Sequence, residues 1–374
     1  MDDKLKLEDL GYGDFFESNR GVDGLPVARI IAEHKKVYRV KNTAGEYLAK
    51  ITGKQMFNAL TREDYPAVGD WVTITDLGEE RAVIHQILPR KTIIKRKASG
   101  KNDIQVIAAN IDVAFVIESV DSDYNLNRFE RYFAIAKDGG VIPAIILNKI
   151  DLIFNEELES RISQIKNRFD NIDFITTSTV TNEGLDALKA YTAKGKTYCF
   201  LGSSGVGKSS LINKLIGKDV IKTGEISTST DRGRHTTTSR EMYFLENGAT
   251  VIDNPGMREV GMTEVGDGIN SLFDEITLLA QKCKYVDCTH IHEPGCAVLT
   301  AIKSEQLDED KYNNYLDLKK EAEYYETTKL EKKQKDNQIG KFLKKAKKDL
   351  RRYGLKNYYN LLPYLPLGLP LPLL

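Results

Sequence analysis

Residues 1–105 carry short apolar runs separated by turns, without a helical period. β-Branched and aromatic residues dominate these runs, which predicts strands. The predicted strands cover residues 26–32, 37–40, 47–51, 70–75, 81–87 and 92–95. Closely spaced short strands are typical of a small barrel. Trp71, the only tryptophan of the chain, begins one of them and is expected in the barrel core.

From residue 106 the pattern changes to apolar strands separated by amphipathic helices. Strands are predicted over 113–117, 141–147, 174–177, 196–201 and 250–253, and helices over 126–136, 155–168, 184–190 and 209–216. This alternation predicts a parallel sheet covered on both faces, which binds its ligands at the carboxyl ends of the strands. After residue 267 the pattern is mainly helical.

The chain is therefore predicted to contain several domains. A barrel covers residues 1–105, an α/β domain covers 106–267 and a helical module covers 268–355. The last segment, 356–374, is apolar and rich in proline, and it is expected to be disordered.

Residues 202–209 match the glycine-rich pattern of a phosphate-binding loop, in which backbone N–H groups surround phosphate oxygens. Lys208 is expected to reach the outer phosphates and the Ser209 hydroxyl to bind Mg²⁺. A glycine turn without a nucleotide has the same pattern, but the predicted strand before it and helix after it favour a nucleotide site. The predicted phosphate loop consists of Gly202, Ser203, Ser204, Gly205, Val206, Gly207, Lys208, Ser209 and Ser210.

The segment Asn148-Lys149-Ile150-Asp151 follows an apolar run and predicts a preference for guanine. Asp151 can accept two parallel N–H bonds, which guanine offers and adenine does not. Asn148 can bind the other edge of the purine, and the stem of Lys149 can cover its face. Alone the segment also fits an ordinary polar turn. Together with the phosphate loop it predicts a GTP site.

The order of the motifs is unusual. The guanine motif precedes the phosphate loop, and Asp253-Asn254-Pro255-Gly256 follows it, so the parts of the site are cyclically shuffled. We expect the segments that sense the γ-phosphate to act on the helical module, because that module follows them directly in the chain.

Four potential zinc ligands lie within fourteen residues of the helical module: Cys283, Cys288, His290 and Cys296. Three thiolates and one imidazole can converge tetrahedrally on Zn²⁺. Buried small residues beside a surface histidine are the alternative, and His292 is a possible substitute for His290. Cys199, in the strand before the phosphate loop, is expected to be inert core.

Composition indicates a soluble globular protein, with 41% hydrophobic and 29% charged residues. Lysine plus arginine and aspartate plus glutamate both total 54, so a nucleic-acid contact must come from local patches. Candidates are the run from Arg90 to Lys97 and the basic helix predicted over 341–352. No signal-peptide core or membrane-spanning stretch occurs, so a cytoplasmic protein without membrane contact is expected.

The motif order, the segment Arg-Gly-Arg-His-Thr-Thr-Thr at 232–238 and the Cys/His cluster together resemble the ribosome small-subunit-dependent GTPase A family. The resemblance implies an N-terminal OB-fold β-barrel that binds RNA, a central circularly permuted α/β P-loop GTPase domain and a C-terminal helical module with one structural zinc. It also implies hydrolysis of GTP to GDP and phosphate during late maturation of the small ribosomal subunit, stimulated by that subunit. The expected partners are the subunit with its rRNA and GTP or GDP, and the chain is expected to be a monomer.

The same resemblance implies further site residues. Ser178 and Thr179 match the base-contacting loop, and Asp253 would hold the metal through water. Thr237 would complete the Mg²⁺ shell with Ser209, and Gly256 would donate its N–H to the γ-phosphate. These residues join Asn148 to Asp151 and the phosphate loop in the predicted GTP site.

The catalytic residues are expected to be His235, Thr237 and Lys208. Many GTPases place a glutamine shortly after the Asp-x-x-Gly element. Here Met257 follows Gly256, and the resemblance implies that His235 orients the attacking water instead. A structural role for His235 is the alternative.

Two other functions fit the residues. One is an RNA-binding assembly scaffold with incidental hydrolysis, and the other is a P-loop NTPase that has nothing to do with ribosomes.

Overall fold

The computed structural model describes residues 5–21, 24–34, 37–53, 56, 59, 61–97, 104–121, 124–169, 171–221, 240–253 and 266–324. Its contacts divide the chain into a unit of residues 1–322 and a unit of 323–374, of which only Glu323 and Tyr324 are described. Several predicted features lie outside the described residues, among them His235 with the threonine run of 236–238, Gly256, the basic helix of 341–352 and the tail of 356–374.

The N-terminal strands form a closed barrel. The strands are β1 (Val27–His34), β2 (Val37–Lys41), β3 (Glu46–Ile51), β4 (Trp71–Gly78) and β5 (Arg81–Ile87). They are ordered β1-β2-β3-β5-β4, and β4 pairs with β1 to close the barrel. Only the β3–β5 pairing among them is parallel. This five-stranded closure is an OB-fold barrel, as predicted.

The barrel is filled by alternate residues, including Ile30, Val40, Ile74 and Ile84. Trp71 is fully buried, but it belongs to a different cluster from these residues. It packs beneath the N-terminal segment, where the rings of Tyr12 and Phe16 lie 4.8 and 5.9 Å from it. The expectation of a barrel-core tryptophan was therefore wrong in its location. Successive residues of a strand face opposite sides of the sheet, and Trp71 faces away from the barrel interior. The N-terminal segment, 50 or more residues away in sequence, covers it.

The α/β domain contains a six-stranded sheet in the order β10-β9-β8-β11-β13-β12. The strands are β8 (Val113–Ser119), β9 (Ile142–Asn148), β10 (Phe174–Thr177), β11 (Thr197–Leu201), β12 (Arg240–Phe244) and β13 (Thr250–Asp253). All neighbours are parallel except β12 and β13. The strands β8 to β10 come first in the chain but extend the sheet beyond β11, which precedes the phosphate loop. The sheet order thus agrees with a circular permutation.

Helices connect and cover these strands. They are α1 (Asp14–Ser18) in the N-terminal segment, then α2 (Leu126–Asp138), α3 (Asn155–Arg168), α4 (Leu185–Tyr191) and α5 (Lys208–Ile216). Leu188 of α4 and Leu211 of α5 pack with Phe115 and Phe200 of the strands. Helix α2 packs against β8 and β9. Its rings of Phe129 and Phe133 surround Phe169 at the end of α3.

The barrel and the α/β sheet are joined edge to edge. Strand β12 pairs with β1, with Glu241 opposite Ala32 and Arg240 opposite Glu33, so one eleven-stranded sheet runs through both. A hairpin of β6 (Ile93–Lys97) and β7 (Ile104–Ala109) crosses the boundary predicted at residue 105. The sequence analysis did not predict β7 or β12.

The C-terminal module is helical, as predicted. Its helices are α6 (Gly266–Leu272), α7 (Asp274–Ala280), α8 (Ala297–Lys303) and α9, described over 309–324. None of the helices in the described part of the chain has the length and apolar character needed to cross a bilayer.

A buried ion pair holds one end of the barrel. Arg90 donates to both carboxylate oxygens of Asp70 at 2.8 Å and to the backbone oxygens of Glu63 and Tyr65 at 2.8 and 2.9 Å. Asp70 is fully buried, and this burial raises its pKa despite the opposing effect of Arg90. Arg90, the first residue of a predicted basic patch, therefore stabilises the barrel from within.

We predict that Arg90→Met lowers the free energy of unfolding by about 3–5 kcal/mol, because the buried Asp70 carboxylate loses the guanidinium that bonds both of its oxygens. Chemical denaturation followed by circular dichroism measures the loss. The matched control is Arg81→Met, which breaks a pair with Glu79 whose side chains are 69% and 82% exposed and should cost about 1 kcal/mol at most. Equal losses in the two variants would contradict the prediction.

Candidate nucleotide site and metal centre

The phosphate loop connects the end of β11 to the start of α5. Gly202, Gly205 and Gly207 have φ angles of 148°, 86° and 97°, which L side chains rarely adopt. A Cβ on Gly202 would lie 2.3 Å from the carbonyl oxygen of Ile117, so the loop also passes directly over β8. At Gly202, glycine is therefore required both by the positive φ and by the lack of space for a Cβ.

The Lys208 side chain places a positive charge inside this loop. The Lys208 ammonium donates to the backbone oxygens of Gly202 at 2.8 Å and Ser203 at 2.5 Å. Ser209 and Ser210 follow in the first turn of α5, and both are partly buried. The positive end of the helix dipole adds to the lysine charge, so the loop is suited to an anion such as a phosphate group.

Asn148 joins the guanine motif to the phosphate loop. Its side chain is fully buried at the end of β9, and its Nδ2 donates to the Val206 carbonyl oxygen at 2.8 Å. Its Oδ1 accepts from the Thr177 hydroxyl at 2.9 Å. The amide thus links the loops after β9, β10 and β11. The sequence analysis expected Asn148 to bind the purine, and it did not predict this structural role.

Lys149 has a left-handed backbone, with φ of 61°, and turns the chain away from β9. Its ammonium contacts Asp121 Oδ2 at 2.8 Å, and Ser119 donates to the other oxygen of that carboxylate at 2.8 Å. The sequence analysis missed Asp121. Its position just after β8, at the carboxyl end of a parallel strand, was the available signal.

Asp151 and Ser178 meet at the same edge of the sheet. The Ser178 hydroxyl donates to Asp151 Oδ1 at 2.5 Å and accepts from the N–H groups of Val180 and Thr181 at 3.2 and 3.1 Å. Asp151 is exposed, whereas Thr179 is partly buried. The Ile150 side chain is 4% exposed and anchors the turn of Ile150–Leu152. Only the backbone of Ile150 is therefore available to a ligand.

Asp253 lies at the end of β13, beside the strand that leads into the phosphate loop. Its side chain is buried. The structure thus brings Asp253, the guanine motif, the 178–179 loop and the phosphate loop to the carboxyl ends of adjacent strands. His235, Thr237 and Gly256 lie outside the described residues, and their roles stay predictions.

The four Cys/His side chains of the C-terminal module converge. The ligand atoms of Cys283, Cys288, His290 and Cys296 all lie within 4.8 Å of one another. His290 Nδ1 is 3.5 Å from the sulfurs of Cys283 and Cys296, which are 3.8 Å apart. Tetrahedral zinc, with its usual bond lengths, places two sulfurs about 3.8 Å apart and sulfur and nitrogen about 3.6 Å apart. The cluster therefore has donors and spacing that can hold zinc.

The electrostatics of two ligands of this cluster, His290 and Cys283, favour metal binding, whereas burial raises the pKa of Cys288 to about 11. Burial lowers the pKa of His290, which keeps the imidazole in the neutral form that binds metals. Burial opposes ionisation of Cys283, but hydrogen bonds from the backbone of Ala297 and Val298 and from the Cys288 and Cys296 side chains together lower the pKa of this thiol. Cys199 differs, since burial alone raises its pKa and it lies in the sheet core.

Glu293 and Tyr312, whose roles were not predicted from the sequence, bond the loop that presents His290. Glu293 accepts from the Thr289 N–H at 2.9 Å, from the Thr289 hydroxyl and from the N–H groups of Ile291 and His292 at 3.1 and 3.2 Å. These bonds lower the pKa of Glu293. The Tyr312 hydroxyl donates to the His290 carbonyl oxygen at 2.5 Å. His290, with φ of 64°, is thereby supported from two sides.

The sheet order and the joined motifs define the class of protein: a circularly permuted P-loop GTPase. A family model described as RsgA GTPase matches residues 87–263, and one described as 50S ribosome-binding GTPase matches 197–350.

Similar proteins extend the match over most of the chain. Small ribosomal subunit biogenesis GTPase RsgA 2 of Lactiplantibacillus plantarum is 42% identical over 81% of this chain and 85% of its own. The RsgA 1 protein of Bacteroides thetaiotaomicron with the same description is 38% identical over 86% and 90%. The chain belongs to the RsgA GTPase family and is a GTP hydrolase.

Solved structures agree in fold. YjeQ from Thermotoga maritima is 24% identical, with a TM-score of 0.61 over 78% of this chain and 96% of that one. YloQ, described as a circularly permuted GTPase, is 22% identical, with a TM-score of 0.59 over 81% and 98%.

We predict that Gly207→Ala weakens GDP and GTP binding at least about tenfold, since a Cβ there would lie 2.2 Å from Asn148 Nδ2 and displace the amide. Calorimetric titration measures the affinities. Gly217→Ala is the matched control, because Gly217 also has a positive φ, of 77°, but its Cβ would meet no atom within 4 Å. Nucleotide binding that falls equally in both variants would contradict the prediction.

Proposed function

We propose that this chain binds the small ribosomal subunit and hydrolyses GTP during late maturation of that subunit, which stimulates the hydrolysis. The observation that carries the proposal is the similarity over most of the chain to proteins named for small-subunit biogenesis. The nucleotide site supports it, because the motifs for phosphate and guanine meet at one sheet edge.

In this proposal the GTP site consists of Asn148 to Asp151, Ser178, Thr179, Gly202 to Ser210, Asp253 and Gly256. Asp151 selects guanine, and Lys208 neutralises the charge that develops on the phosphates. Ser209 and Thr237 are the proposed Mg²⁺ ligands. His235 orients the attacking water, and the ribosomal subunit stimulates hydrolysis.

We also propose that Cys283, Cys288, His290 and Cys296 hold one structural Zn²⁺. Four protein ligands leave no open position, which is typical of zinc sites that stabilise a fold. The convergence of the ligand atoms, the neutral His290 and the lowered pKa of Cys283 support this assignment.

The proposed division of labour follows the predicted domains. Residues 1–105 bind rRNA through the barrel, residues 106–267 bind and hydrolyse GTP, and residues 268–355 form the zinc module. The protein acts in the cytoplasm as a monomer. The basic residues of 341–352 are a second candidate rRNA contact.

GTP hydrolysis with purified small subunits is predicted to exceed that of the protein alone, and Lys208→Ala is predicted to lower the stimulated rate by about 100-fold or more. His235→Ala should lose the stimulation while it retains GTP binding. Large subunits are the control, because one matching family model is described as binding the 50S subunit. Stimulation by large subunits only, or by neither, would contradict the proposal. ATP competing as well as GTP would contradict the assignment of Asp151.

For the metal centre we predict that Glu293→Ala lowers zinc affinity about 10- to 100-fold, because the loop that presents His290 loses its shared acceptor. Competition with a chromogenic chelator measures this affinity. Glu309→Ala removes an exposed carboxylate from the same module and should leave zinc affinity unchanged. An unchanged affinity in Glu293→Ala would show that the bonds of Glu293 do not support the metal.

A further inference from the structure

The loop after β8 lies between the two halves of the proposed nucleotide site. In the sheet, β8 stands between β9, which leads to the guanine motif, and β11, which leads to the phosphate loop. Two strand spacings, about 10 Å, separate β9 from β11. A nucleotide that reaches from one loop to the other therefore passes over the carboxyl end of β8. That strand ends at Ser119, and Asp121 is the second residue beyond it.

The backbone at this end of β8 is fixed against β9. Ser119 pairs with Asn148 in the parallel register, and the Val120 N–H donates to the Asn148 carbonyl oxygen at 3.1 Å. Ser119 and Val120 are both buried. On the other side, the Asp121 carbonyl oxygen accepts from the Tyr124 N–H at 3.1 Å. The sheet therefore sets the position of Asp121 relative to the guanine motif.

Both carboxylate oxygens of Asp121 are engaged. Oδ1 accepts from the Ser119 hydroxyl at 2.8 Å, and Oδ2 contacts the Lys149 ammonium at 2.8 Å. The side chains of Lys149 and Asp121 are only 20% and 31% exposed, so salt screens this pair less than it screens a fully exposed one. The bond from Ser119 orients the carboxylate and directs its second oxygen to Lys149.

The pair restricts a side chain that is otherwise flexible. A lysine stem has many rotamers and loses that freedom when it is ordered. The backbone of Lys149 is left-handed, with φ of 61°, a conformation that residues other than glycine seldom adopt outside functional sites and turns. Because the backbone and the ammonium are both held, few conformations remain for the methylene stem between them. That stem is the part of Lys149 expected to cover the purine face.

We propose that Asp121 is a positioning residue of the guanine-binding site, which holds Lys149 in place before a nucleotide arrives. The inference rests on the proposed GTP site and adds a determinant of its affinity outside the Asn-Lys-x-Asp segment. Ordering the stem in the free protein removes part of the entropy cost of binding. Asp121 thus strengthens the binding of GDP and GTP alike and takes no part in the hydrolytic step.

The test is calorimetric titration of the full-length protein with GDP. Asp121→Asn keeps an acceptor for Ser119 but removes the charge that holds Lys149, and it should weaken GDP binding about 3- to 10-fold. Asp112→Asn is the matched control. Asp112 pairs with Lys196 at 2.9 Å beside the amino end of the same strand, so its loss should leave GDP affinity unchanged.

The outcomes separate this inference from the proposed function. Wild-type protein that bound neither GDP nor GTP would refute the proposed nucleotide site itself. If wild-type protein binds GDP, equal affinities of Asp121→Asn and Asp112→Asn would refute only the role of Asp121. Tighter binding by Asp121→Asn would also refute it, because the carboxylate would then act by repelling the phosphates.

A double-mutant cycle tests whether Asp121 acts through Lys149. Lys149→Met keeps an apolar stem without the ammonium and should weaken GDP binding. Adding Asp121→Asn should cause no further loss, because the carboxylate then has no ammonium to hold. Effects of the two substitutions that multiply independently would overturn the inference.

GTP hydrolysis distinguishes positioning from a general loss of structure. Asp121→Asn should raise KM for GTP by about the same factor as the Kd for GDP and leave kcat within about twofold, as expected when only binding is weakened. Loss of folded protein would instead lower kcat at an unchanged KM. That result would overturn the proposal.

Discussion

The buried amide of Asn148 is the constraint on which the nucleotide site depends. It satisfies the Val206 carbonyl and the Thr177 hydroxyl at once, and a buried amide without such partners would cost about 1–3 kcal/mol. The amide fits only because residue 207 has no Cβ. The distance between the base-selecting loop and the phosphate loop is therefore set by one side chain and one glycine.

The site is also attached to both flanking modules. Strand β12, which follows the predicted threonine segment, pairs with barrel strand β1, while α2 packs on strands β8 and β9 of the sheet and bonds the C-terminal helix α9. The fully buried guanidinium of Arg29 strengthens the barrel side, since it donates to the carbonyls of Leu10, Gly69 and Asn110. Burial lowers its pKa to about 10, so it stays charged at neutral pH. Chain order suggested that the γ-phosphate sensors act on the zinc module. In the folded chain, β12, the strand that follows the threonine segment, pairs with barrel strand β1.

The predictions that succeeded rested on local patterns. The strands of the barrel and the phosphate loop were visible because period-two patterns and glycine spacing act within a few residues. Strand β12 was missed because its partner β1 lies more than 200 residues away in sequence, whereas β7 was missed although it pairs with the neighbouring strand β6. Arg90 was assigned to a basic patch because its partner Asp70 is separated from it by strands β4 and β5 and the turn between them. The covering of Trp71 by the N-terminal segment was hidden for the same reason.

The sequence by itself determined the chemistry of this protein: which residues can bind phosphate, guanine and zinc, and in which shuffled order they occur. Those properties follow from side-chain type and close spacing. Only the tertiary structure decided which groups meet. It turned Asn148 into a link between loops and supported His290 with Glu293 and Tyr312. The physical reason is that a buried polar group takes its partners from whatever the fold places within hydrogen-bonding distance, however distant in the chain.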